Sequence, residues 1–276
     1  MKKTLHLGTA VAFAALCSMA IIHAAGVTTY VVTPATPVFD SNHVVGVAND
    51  GAPGFATGSI KSDGVAKTDM YFTPESPNIF GREISLGEIA SMSYYTKKGT
   101  SFEVNPDDWT LLVYTKPYAG DISAASWYGD RLNCEPRYSY NPNAPADVWN
   151  QWSTDDSMNQ LRCYESTLGY FGGYNDPQWG QIRTGVALSG DPYFAHKVLS
   201  ISIQTGSAWA AGFTGQVDGL RIELMDGTVA KINFEPFLQP TDKDACKKDG
   251  WMNLKRADGS SFTSQGPCVS YVNTLR

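Results

Sequence analysis

Histidine is nearly absent from this chain: four in 276 residues, with His6 and His23 inside the first two dozen. No H-E-x-x-H, C-x-x-C, G-x-S-x-G or glycine-rich phosphate loop occurs. Zinc proteases, nucleophile-elbow hydrolases and P-loop enzymes have no signature here. Charge is sparse at 17 % of residues, and the formal net charge is −6. An acidic chain of this kind has no electrostatic basis for nucleic-acid binding. Long amphipathic helical periodicity is missing too, so a helical bundle is not expected.

The chain opens with "MKKTLHLGTAVAFAALCSMAIIHAAG". Lys2 and Lys3 precede an apolar run from Leu5 to Ile22, and Ser18-Met19-Ala20 or Ile22-His23-Ala24 offers small residues for cleavage. Residues 1–24 are therefore expected to be a secretory signal, with an uncleaved anchor as the alternative. Removal takes two lysines and no acidic residue, which moves the charge from −6 to −8. It also leaves an even set of cysteines: Cys134, Cys163, Cys246 and Cys268. Sequence proximity favours the pairs Cys134–Cys163 and Cys246–Cys268 among the three pairings open to them. The expected location is secreted or at the cell surface, or else the periplasm.

Short alternating runs recur between Gly, Pro, Asn and Asp. They are 27–33, 68–73, 89–96, 109–115, 198–205, 219–224 and 229–234. Such a series predicts an all-β fold, an antiparallel sandwich over 27–236. "GLRIELMDGTVAKINF" reads as a hairpin turning at Asp226-Gly227. Beyond "PFLQPTDKD", residues 241–276 read as a disulfide-tied tail. There Thr241 is expected to cap a short helix over 242–249, and a second helix is expected to start at Pro267.

Aromatic residues crowd Trp127 to Phe194, interleaved with Asn and Gln. Sugars present C–H faces that pack on rings and hydroxyls that pair with amides. Trp149, Trp152, Trp179, Tyr174 and Asn150 are the candidate glycan contacts, against the competing reading that such rings fill the core. Oxygen ligands scattered in sequence suit a structural Ca²⁺, with Asp218, Asp40 and Asp50 as candidates; no other cofactor is expected. Asp130, Glu135, Asp155, Asp156 and Glu165 supply carboxylates for glycoside cleavage without forming a motif.

"PGFATGSIKSDG", "ISLGEIASMSYYTKKG", "WYGDRLNCEPRY" and "AWAAGFTGQVDGLRIELMDGTVAKINFEP" resemble secreted bacterial β-sandwich proteins of jelly-roll type. Carbohydrate-binding modules and lectin-like domains share that architecture. The tail "DKDACKKDGWMNLKRADGSSFTSQGPCVSYVNT" resembles a short C-terminal element of exported bacterial proteins. The resemblance implies a jelly roll and export, and carries over no binding residue. The leading expectation is non-catalytic binding of a glycan or extracellular polymer. A structural or adhesive protein that binds other chains or itself through edge strands is the alternative, and a polysaccharide-cleaving enzyme the third.

Overall fold

The computed structural model describes residues 26–55, 57–74, 79–99, 108–115, 131–136, 144–155, 159–165, 179–184, 192–208 and 210–274. The expected export signal at 1–24 lies outside them, as do Tyr174 and much of the aromatic segment.

Thirteen strands are present among the described residues: β1 Val27–Val32, β2 Phe39–Ser41, β3 Val44–Ala48, β4 Gly58–Ser62, β5 Asp69–Phe72, β6 Ile89–Lys97, β7 Thr110–Thr115, β8 Arg131–Pro136, β9 Asn150–Ser153, β10 Leu161–Glu165, β11 Val198–Gln204, β12 Gln216–Leu224 and β13 Val229–Phe234. Two helices join them, α1 Trp179–Thr184 and α2 Gln265–Thr274. All seven runs expected as strands hold one.

The strands form two sheets. The second runs β10-β8-β7-β11-β5-β2, with every pair antiparallel. The first is built around β12. One long side of β12 pairs with β6, which pairs with β9. Its other side is shared, with β4 pairing over Gln216 and Val217 and β13 over Leu220 to Glu223. A bulge at Asp218-Gly219 sits at the fork, and Gly219 has φ +67° there. β3 extends the β4 arm, and β1 lies parallel to β13, so the first sheet is mixed rather than wholly antiparallel as expected. Four residues, Met225 to Thr228, close the hairpin between β12 and β13, and Gly227 alone among them has positive φ. Asp226 instead accepts the Thr228 N–H at 2.9 Å.

Alternation in both sheets turns one set of side chains inward. Met92, Tyr94, Leu220, Ile222, Ile232 and Phe234 of the first sheet meet Met70, Phe72, Leu111, Val113, Ile201 and Ile203 of the second in one core. Polar tips within it are satisfied, and two of them tie the layers together. Tyr94 Oη on β6 donates to Trp109 O at 2.7 Å, and Trp109 Nε1 donates to Gly215 O at 2.8 Å. Cys134–Cys163 staples β8 to β10 at directly opposed positions inside this core.

A separate small core holds the C-terminal unit. Cys246–Cys268, Leu254, Phe262 and Val272 are buried together, with Trp251, Val269 and Tyr271 packed against them. The helix expected over 242–249 is a run of turns, because Lys248 and Asp249 take φ +48° and +64°. Asp242 rather than Thr241 caps the first turn, accepting Ala245 N–H at 2.8 Å. The second expected helix is α2. Among the described residues no helix is long and apolar enough to cross a membrane. Two disulfides suit an oxidising compartment.

Replacing Cys246 and Cys268 together by Ala is expected to cost the C-terminal unit roughly 3 kcal/mol. Limited proteolysis after that change should cut within 241–274 first and leave the sandwich intact.

Candidate ligand-binding face

Strand alternation that sends isoleucines and leucines of the second sheet inward sends a different set outward. On β11, Ile201 and Ile203 are core while Ser200, Ser202 and Gln204 face away from it. The register carries this face across the sheet. Tyr71, Ser202, Leu112, Asn133 and Tyr164 lie in one line over β5, β11, β7, β8 and β10. Asp69, Gln204 and Thr110 form the neighbouring line, continued by Glu135 and Arg162. Ser200, Tyr114 and Arg131 form a third. Four strand gaps of ~4.8 Å make the central line about 19 Å long.

Three tyrosines frame this face. The Tyr71 and Tyr114 rings meet at 5.8 Å between centroids, tilted by 48°. At the far end the Arg162 guanidinium stands over the Tyr164 ring at 5.0 Å and reaches Glu135 at 3.6 Å. Arg131 Nε donates to Asn133 Oδ1 at 3.4 Å. Lys67 pairs with Asp69 at 2.6 Å. Burial first, then Tyr114 and Asp69, pushes the Tyr71 phenol well above its ordinary range. Tyr71 therefore stays a neutral donor at any physiological pH.

Two polar atoms on β11 have no hydrogen-bond partner although buried: Ser202 Oγ and Gln204 Oε1. A buried polar atom left unpaired costs about 1–3 kcal/mol, so native proteins keep few. Both point from the same face, flanked by tyrosines. Together they leave a hydroxyl and a carbonyl unspent on this face, where Ser202, Leu112 and Tyr114 are only 0–2 % exposed. Asp69 and Glu135 lie three strand gaps apart, about 14 Å, beyond the ~5–10 Å of a glycosidase pair.

Most residues singled out in the sequence lie elsewhere. Trp152 is fully buried in the core, its Nε1 donating to Thr96 Oγ1 at 2.9 Å. Trp179 is 3 % exposed, with Nε1 on Ile89 O at 3.0 Å. Neither ring has a free face for a sugar; both are packing residues. Asn150 spends its amide N–H groups on Pro145 O and Val148 O, holding a turn. Trp149 is half-buried beside the outer face of the first sheet, and its Nε1 donates to Asp50 at 3.2 Å. Lys97 contacts both Asp50 oxygens at 3.0 and 2.8 Å, and Gln216 Nε2 donates at 3.1 Å. Burial works to raise the Asp50 carboxyl, but these donors outweigh it and hold the group below its ordinary range.

The expected calcium ligands do not come together. Asp50 is saturated by N–H donors, and Asp40 is exposed on β2. Asp218 is fully buried at the fork of the first sheet. Its Oδ1 accepts Gly219 N–H at 2.7 Å and Phe234 N–H at 3.0 Å, and its Oδ2 accepts Ala52 N–H at 2.9 Å. Among the described residues no three His, Cys, Asp or Glu side chains form a metal-binding group. His196 is buried as well.

Compared with protein-family models, curated proteins and solved structures, the chain gives no match. The candidate face therefore rests on its own geometry. Sequence reasoning missed it by weighing loop aromatics above strand alternation, although "VLSISIQT" already displays Ser200, Ser202 and Gln204 against its isoleucines.

Burial pushes the Asp218 carboxyl up to about 7 against the pull of its three N–H donors, with Glu235 adding to the rise. A carboxyl that titrates higher folded than unfolded favours the fold while protonated. Its contribution is complete in acid and is lost as pH rises through about 7. Denaturant unfolding over a pH series should show that loss. Asp218→Asn should flatten it and cost about 1–3 kcal/mol, because the new amide N–H faces the Ala52 donor.

Proposed function

We propose that this is an exported, non-catalytic glycan-binding protein of bacterial jelly-roll type, with a sugar chain lying across the outer face of the second sheet. The observation that carries the reading is the buried, unpartnered pair Ser202 Oγ and Gln204 Oε1 on a face framed by Tyr71, Tyr114 and Tyr164. Sugar hydroxyls both donate and accept, so one chain pairs with a serine hydroxyl and an amide carbonyl while its C–H faces pack on tyrosine. Strands fix these side chains, so little ordering cost falls on binding. Two disulfides and the signal-like leader support export.

A second reading, assembly with other chains, draws on one observation. β1 is an edge strand, and Val27 and Val31 on it are 63 % and 42 % exposed. Exposed apolar edges template pairing with a neighbouring strand.

A broad glycan array probed with the mature oxidised protein tests the first reading. Saturable binding is expected. Tyr164→Ala or Gln204→Met should weaken it roughly tenfold or more, about 1.4 kcal/mol, with the fold intact. Trp149→Ala, on the opposite sheet, should leave it unchanged. A folded protein that binds no glycan, or loses binding only through Trp149, overturns this assignment.

A further inference from the structure

At the end of β13 two more buried polar atoms lack a partner: Asn233 Oδ1 and Glu235 Oε2. Asn233 is 6 % exposed and Glu235 is 4 %. Standing two residues apart, they share one face of the chain. They are already joined, since Asn233 Nδ2 donates to Glu235 Oε1 at 2.9 Å. An ionised Glu235 leaves two acceptors, Oε2 and Oδ1, with no donor for either. A protonated Glu235 resolves both at once. Its O–H donates to the amide oxygen while the amide N–H donates back to the other carboxyl oxygen, closing a ring of two hydrogen bonds.

We propose that Glu235 carries a proton on Oε2 in the folded protein, pairs with Asn233 as acid and amide, and so forms a proton-dependent clamp where the sandwich joins the C-terminal unit. The position gives the clamp its purpose. Glu235 N–H donates to Val32 O of β1 at 2.8 Å, and the backbone of Gly58 on β4 pulls the Glu235 carboxyl down against burial. The next residue, Pro236, presses on Gly46 and Gly58 so closely that a Cβ there would stand 2.4 and 2.3 Å from it. From there the chain runs to Gln239, which donates to Thr57 Oγ1 at 2.9 Å, and on to the tail. One carboxyl thus reaches the strands on which the linker rests.

The surroundings favour a neutral acid. Asp218 on β12 accepts Phe234 N–H, next to Glu235, and two anions there oppose each other. Lys231 on β13 stands over the Phe55 ring at 5.9 Å, Lys61 on β4 is half-exposed, and Asp50 is matched by Lys97. β1 and β3 bear no charged side chain. Burial raises the Glu235 carboxyl more than Asn233 and the Gly58 backbone lower it. The proton stabilises the fold in acid, and that contribution is lost as pH rises through the raised value.

Glu235→Gln in the full chain is the test, because a glutamine amide completes the same ring with Asn233. Parent and variant should unfold at the same denaturant concentration in acid, and the variant should need more denaturant in alkaline solution. Infrared difference spectra at neutral pH should show the carbonyl band of an un-ionised acid in the parent and none at this position in E235Q. The same band read on parent protein labelled with ¹³C-glutamate needs no variant to fold. Absence of any un-ionised glutamic acid band from that spectrum overturns the proposal, as does a variant weakened in acid. Calcium chloride that raises the unfolding midpoint of the parent but not of E235Q also overturns it, assigning the two oxygens to a cation.

Discussion

The first sheet depends on one carboxyl group. β12 serves two arms on a single side, β4 and then β13, and the change of partner needs a bulge that leaves backbone N–H groups without a ladder. Asp218 fills that gap, taking N–H groups from its own bulge, from β13 and from the segment over the sheet. Gly219 is required beside it, since a Cβ would stand 2.6 Å from the Phe55 ring and the backbone has positive φ. A residue that resembled a calcium ligand in sequence is a backbone organiser in the fold. Both roles ask for oxygen atoms at a turn, which is why sequence alone does not separate them.

The two outer faces then differ in kind. On the first sheet, polar groups answer one another: Asp50 with Lys97, Trp149 and Gln216, and Gln216 with Ser59. Such a closed network holds loops and asks for no ligand. On the second sheet, Ser202 and Gln204 keep buried atoms without partners beside tyrosine rings. Unspent hydrogen-bonding capacity on rigid strands is what a binding surface needs, and the proposed glycan site is set on the second face for that reason.

Strands and disulfides were legible because both leave short-range marks: alternation over six or more residues, and cysteines in even number. Tertiary placement leaves no such mark. Trp152 stands in the four-residue strand β9, too short to show which face it takes, and opposite Tyr94 it turns inward. The indoles of Trp152 and Trp179 sit among polar neighbours in sequence yet find core partners in Thr96 and Ile89 O. The candidate face was half legible. Each strand displayed its outward residues, but the line from Tyr71 to Tyr164 joins five strands from distant parts of the chain, an order no local pattern encodes. The helix expected over 242–249 fell to left-handed backbone at Lys248 and Asp249, where propensity alone gave no warning.

The most direct test of the assigned face is amide hydrogen exchange with and without the strongest glycan found on an array. Slowed exchange concentrated in 69–72, 110–115, 131–136, 161–165 and 198–204 is the predicted result. Protection confined to 89–97, 149–153 and 216–224 would place the ligand on the first sheet and contradict the account.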